Sequence, residues 1–164
     1  MGMKGKEIVQ TDVKKLIELL NKAYADEWLA YYQYWVAAQI VRGNMKGAVT
    51  SELVEHAAEE LEHAEKLSER IMQLGGTPIT DMTELNERAN CKYVDPSDPD
   101  SRAILKLAIE GERCAIDVYT KLLAIVKDKD PVTYHIILDI LKDEVEHEDD
   151  FETVLEDIKR GGKE

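Results

Sequence analysis

Turn-forming residues and thiols are scarce in this chain: 164 residues contain two cysteines, four prolines, nine glycines and a single phenylalanine. Two thiols, Cys91 and Cys114, are too few to frame a disulfide-built scaffold. Basic residues are also short, with 21 Lys plus Arg against 34 Asp plus Glu and a net charge of −13. Nucleic acid and anionic membranes both require a positive field, so direct nucleic-acid binding through the folded surface is not expected. An acidic surface attracts cations instead. The chain has no hydrophobic run of membrane length, since the longest weakly charged stretch, Trp28 to Val41, falls short of a span. No apolar leader follows Met1-Gly2-Met3-Lys4-Gly5-Lys6, and a cytoplasmic protein with no membrane partner is expected. What is present is a 44% hydrophobic content, enough for one domain over residues 1–164 with a real core.

Between the sparse glycines and prolines lie runs of roughly 30 residues with apolar positions at helical spacing, which predicts an all-α chain. Four helices are expected, over about 12–42, 46–74, 101–127 and 131–160. Asp12 or Thr11 can cap the first, Pro131 suits the first turn of the fourth, and Gly161-Gly162 is expected to end it. Short connections make each sequential pair an antiparallel hairpin. The segment 76–100 is different. A helix of 27 residues is about 40 Å long, and 25 extended residues reach up to about 80 Å, so this segment can cross the whole bundle, with a short helix near 81–88. The prediction is a four-helix bundle with one long crossover between its second and third helices, the ferritin-like connectivity.

Charge interrupts the apolar stripe of every helix at one place. Glu27 lies four after Ala23 and three before Ala30. Glu60 and His63 fall between Ala57 and Leu67, Glu112 between Ala108 and Ile116, and Glu144 and His147 between Ile140 and Phe151. All six are expected to project into the core. A buried ionised carboxylate costs several kcal/mol unless it is paired or bound to a cation, and here four face one another. Two divalent irons, or manganese, suit carboxylate oxygen and imidazole nitrogen, and Glu with His three residues on places both ligands on one helical face. Glutamate occupies 20 of 164 positions, so a Glu-x-x-His match alone carries little weight. Phase carries more: Glu27 and Glu112 are 85 residues apart, and Glu60 and Glu144, like His63 and His147, are 84 apart. The two halves read as a duplicated helix pair with ligands at matching depth.

The stretches Leu20 to Glu27, Gln33-Tyr34, Glu60 to Glu65, Leu74 to Pro78 and Leu141 to His147 resemble the ferritin-like di-iron superfamily, especially bacterioferritins and the Dps-like proteins called thioferritins. The resemblance implies a di-iron ferroxidase centre with two iron ions per chain, Glu60 and Glu144 bridging, and Glu27, His63, Glu112 and His147 as terminal ligands. Glu110, two residues from Glu112, competes for the helix-three position, and core phase favours Glu112. Leu61 stands where the family's haem-binding methionine would be, so no haem is expected. The expected absence of a fifth helix favours a dodecameric cage, and the basic tail of DNA-binding Dps proteins is missing.

In a thioferritin-like chain Cys91 and Cys114 form a redox-active or structural pair beside the iron site; without that resemblance they read as two unrelated thiols. Tyr34 and Tyr119 lie seven residues after Glu27 and Glu112. Either can donate a hydrogen bond to a ligand or supply an electron, and either can be plain core packing. His56 shares a face with Glu60 as an outer ligand, an inner-surface iron contact or a satisfied histidine at the core edge. His135 falls off the stripe and is expected at the surface. The implied function is an iron-oxidising mini-ferritin that uses Fe(II) with hydrogen peroxide or dioxygen, stores Fe(III) and protects against oxidative stress. Two other readings remain open: a rubrerythrin- or manganese-catalase-like peroxidase or catalase without storage, and a non-catalytic bundle.

Overall fold

The structure, a computed structural model, describes residues 2–161. Met1 and 162–164 lie outside them, so the second glycine of the expected helix stop and the expected absence of a fifth helix also fall outside. After a short helix α1 (Met3–Glu7) come four long ones: α2 (Val13–Ile40), α3 (Lys46–Gln73), α5 (Ser101–Val126) and α6 (Pro131–Gly161). A 3-10 turn, Met82–Glu84, and the single-turn helix α4 (Leu85–Arg88) interrupt the crossover. The sequence pattern did not predict α1, whose apolar content is low; an exposed Lys4–Glu7 pair at 2.7 Å spans its one turn.

Side-chain caps set the helix starts. Asp12 accepts from the Lys15 N–H at α2, and Asp100 accepts from the Arg102 N–H at α5, each satisfying a donor that the first helical turn leaves free. Asp130 does the same for Thr133 at α6. The helix ends are tied together in pairs. Arg42 N–H donates to the Pro99 carbonyl and Ser101 N–H to the Arg42 carbonyl, which joins the end of α2 to the start of α5. At the opposite end, Gln10 N–H donates to the Lys129 carbonyl, and Arg70 of α3 grips Asp130 with contacts of 2.8 and 3.0 Å. The crossover therefore travels the length of the bundle and makes α3 and α5 parallel. The expected connectivity is present.

Two apolar clusters fill the bundle. One contains Tyr34, Val41, Leu53, Leu105 and Phe151, and the other Leu20, Leu67, Ile71, Leu122 and Ile137. Each fully buried Leu, Ile or Phe contributes about 1.5–3 kcal/mol relative to exposure, so both ends of the bundle are well held. The level between them is polar. Of the long helices, α2 and α5 carry the crossover on their shared side, leaving α3 and α6 to form the opposite face. Among the described residues no helix is long and apolar enough to cross a membrane.

Candidate metal centre

The polar level is built by four helices. Glu27 comes from α2, Glu60 and His63 from α3, Glu112 from α5, and Glu144 and His147 from α6; none is more than 2% exposed. Their donor atoms form two groups, Glu27 with Glu60, His63 and Glu144, and Glu60 with Glu112, Glu144 and His147, each within 4.8 Å. Glu60 and Glu144 belong to both groups and lie between them. His63 Nδ1 is 3.4 Å from Glu27 Oε2, 3.3 Å from Glu60 Oε2 and 3.2 Å from Glu144 Oε1. His147 Nδ1 is 3.5 Å from Glu60 Oε1 and 3.8 Å from Glu144 Oε2. All six residues expected at the core centre are thus brought together. Glu110 is not: its side chain is 74% exposed and pairs with Arg113.

A ring of outer partners positions these groups. The Tyr34 hydroxyl donates to Glu112 Oε1 at 2.5 Å, and the Tyr119 hydroxyl donates to Glu27 Oε1. Each tyrosine thus serves a glutamate in the other half of the chain. The histidines are crossed in the same way, with His63 Nε2 3.2 Å from Asp143 Oδ2 and His147 Nε2 2.6 Å from Glu59 Oε2. An outer carboxylate on Nε2 leaves Nδ1 free to face the centre and fixes the ring orientation. Sequence reasoning missed Glu59 and Asp143. Each immediately precedes a central glutamate, and they are 84 residues apart, so the same repeat that related the ligands marks them.

Electrostatics suit the centre to a cation. Burial raises the pKa of Glu27, Glu60, Glu112 and Glu144, and neighbouring carboxylates raise it further. Burial disfavours the charged form of both histidines, but bonds to Glu144, Glu27 and Glu60 outweigh it at His63 and raise its pKa, and those to Glu60 push His147 up to about 9. Both sets of shifts favour holding protons in the absence of a cation. Glu27 Oε2, Glu60 Oε1, both Glu144 oxygens and His147 Nδ1 are nevertheless buried with no hydrogen-bond partner. Unpaired carboxylate oxygens in a dry interior fit hard divalent cations, which can replace those protons.

The crossover walls the centre on the α2 and α5 side. Cys91 and Cys114 are bonded to each other, tying the crossover to α5. Asp26, next to Glu27, accepts from Asn90 Nδ2 and the Cys91 N–H, both at 2.7 Å, and burial pushes its pKa up to about 6. Between these walls a cavity of about 140 Å³ runs from Cys91, Tyr93 and Cys114 to Glu27, Glu60 and Glu144. His56 is buried, stacks on His147 with ring centroids 4.1 Å apart, and is lowered to about 3 by burial and by His147. His135 is exposed.

Residues 17–161 match the ferritin-like domain family. The chain belongs to this family. It is 42% identical over 147 residues to the DNA protection during starvation protein of Pyrococcus furiosus, covering 88% of this chain and 78% of that one. A bacterioferritin of Desulfovibrio desulfuricans is 29% identical over 149 residues, 90% of this chain and 78% of its own. Among solved structures, the dodecameric thioferritin of Bacteroides fragilis, a bacterioferritin-related protein, superposes with a TM-score of 0.91 at 44% identity, covering 92% of this chain and 90% of that one. Dps from Staphylococcus aureus shares the fold, with a TM-score of 0.83 at 18% identity over 88% of this chain and 97% of its own.

Proposed function

We propose that this chain is an iron-oxidising mini-ferritin, with Fe(II) as substrate at Glu27, Glu60, His63, Glu112, Glu144 and His147. The observation that carries the reading is the pair of buried four-donor groups sharing Glu60 and Glu144, in which Glu60 Oε1 and both Glu144 oxygens have no hydrogen-bond partner. Two Fe(II) would each give one electron to hydrogen peroxide, which with two protons becomes two waters; dioxygen is the alternative oxidant. Hard carboxylate oxygens favour the higher charge of Fe(III), so the donor set promotes loss of the electron. Tyr34 and Tyr119 hold Glu112 and Glu27 in place, while Glu59 and Asp143 keep the imidazole Nδ1 atoms turned inward. The cavity beneath the crossover gives the oxidant a route, and the Cys91–Cys114 bond in its wall supplies a redox pair. Consuming peroxide together with Fe(II) limits radical formation, a protective role in the cytoplasm. Likeness to a dodecameric thioferritin supports a twelve-chain cage that stores Fe(III).

The test is Fe(II) oxidation after mixing with peroxide or dioxygen. Glu60→Ala should slow it by about tenfold or more, since Glu60 belongs to both donor groups. Equal rates in the two proteins would refute the reading. Iron retained by the assembled particle after turnover separates storage from a peroxidase, which would release it.

A further inference from the structure

Gly111 stands in the interior of α5, where a glycine weakens the helix relative to alanine. Its backbone is not left-handed, as it is at Gly43 and Gly75, so helix geometry alone does not call for glycine here. The reason lies in what a side chain would meet. A Cβ at this position would lie 3.3 Å from the Tyr34 hydroxyl, with no other group outside its own stretch of helix within 4 Å. That is closer than an ordinary contact of about 3.5–4.0 Å, and it falls on the hydroxyl that donates to Glu112. The rest of the space is the cavity of about 140 Å³ beneath the crossover.

The α5 wall of that cavity is one row of the helix. Leu107, Gly111 and Ala115 follow at intervals of four, and Cys114 lies three beyond Gly111 on the same face. The related position in the other half is filled. Asp26 precedes Glu27 as Gly111 precedes Glu112, 85 residues on. The Asp26 carboxylate reaches the crossover and accepts from Asn90 Nδ2 and the Cys91 N–H. The crossover is thus clasped onto α2 and bridged to α5 by the Cys91–Cys114 bond, and Gly111 leaves the space between them open.

We infer that Gly111 sets the width of the passage by which a small oxidant reaches the Glu112 side of the centre. Its missing side chain keeps the throat between Tyr34 and the disulfide open, and a single methyl group there closes it. That the passage serves an oxidant rests on the ferroxidase reading.

The probe is nitric oxide, a neutral diatomic close in size to dioxygen, mixed under argon with the full assembly loaded with Fe(II). The adduct with Fe(II) is coloured, so absorbance reads the rate of entry without any turnover. A blocking side chain must be moved aside at a cost like that of overpacking, so Gly111→Ala should slow adduct formation about tenfold. Gly111→Val should slow it further. Gly111→Ala should bind as much Fe(II) per chain as the unaltered protein, and its melting midpoint should not fall, because alanine is the better helix former. Tyr34→Phe removes the bond to Glu112 without adding bulk and should admit nitric oxide at least as fast as the unaltered protein. Equal rates in Gly111→Ala and the unaltered protein overturn the inference and leave the ferroxidase reading standing. An equal slowing in Tyr34→Phe also overturns it, by assigning the effect to the tyrosine bond, and so does loss of bound iron in Gly111→Ala. Failure of the unaltered protein to bind Fe(II) sinks the ferroxidase reading, and this inference with it.

Discussion

Raising the pH of chelator-treated protein from about 6.5 to about 8.5 should make it less stable, the reverse of what bound metal should do. His147 has a pKa of about 9 in the fold against an ordinary value of 6.5. A group whose folded pKa is raised contributes stability fully below its unfolded value and loses it as pH climbs toward the folded one. Each unit of that interval is about 1.4 kcal/mol, so two units remove about 2–3 kcal/mol through His147 alone. His63, whose pKa is raised by its bonds to Glu144, Glu27 and Glu60, acts in the same direction. His56, lowered to about 3, changes charge relative to the unfolded chain only below 6.5 and stays out of this window. At about 2–4 °C per kcal/mol for a chain of this size, the melting midpoint should fall by about 5–10 °C. Co(II) takes the place of the protons and binds more tightly as they leave, so the metal-loaded midpoint should hold or rise over the same range. Scanning calorimetry at fixed protein concentration reads both curves. A metal-free midpoint that stays level or climbs, or the same slope with and without Co(II), would refute the electrostatic account of the centre.

Three further substitutions test the frame around the site. Asp130→Ala leaves Arg70, itself 4% exposed, without its carboxylate and should cost about 3–5 kcal/mol in urea unfolding. Cys91→Ser opens a link that closes a sequence separation of 23 residues and should lower stability by about 3 kcal/mol, again by urea unfolding under non-reducing conditions. Gly76→Ala puts a Cβ 2.7 Å from Ile17 Cγ2, and the crowding should cost about 1–3 kcal/mol while leaving Co(II) binding at the distant centre unchanged.

The bundle and the polar level within it were legible because both depend on periodicity. Apolar stripes at helical spacing give the elements, and the length of 76–100 gives the crossover. Glu27, Glu60, His63, Glu112, Glu144 and His147 stood out because a charge on a buried stripe needs a physical reason. Helix phase also separated Glu112 from the exposed Glu110, since two residues move a side chain to a different face of a helix. Other features depend on how faces approach in space. Nothing in the spacing of Tyr34 or Tyr119 says that each reaches across to the opposite glutamate. Glu59 and Asp143 look like ordinary solvated acids until His147 and His63 are seen to point at them. The grip of Arg70 on Asp130 joins residues 60 apart that share no local pattern.

The crossed hydrogen bonds make neither hairpin self-sufficient. Tyr34 steadies Glu112 and Tyr119 steadies Glu27, just as each imidazole leans on an acid from the opposite half. Symmetry is consequently enforced only at the waist of the molecule, where a change on one side is felt by its mate. Beyond that belt the two halves are free to specialise, and a covalently joined pair can carry a tool on one flank that a pair of identical halves would have to carry twice.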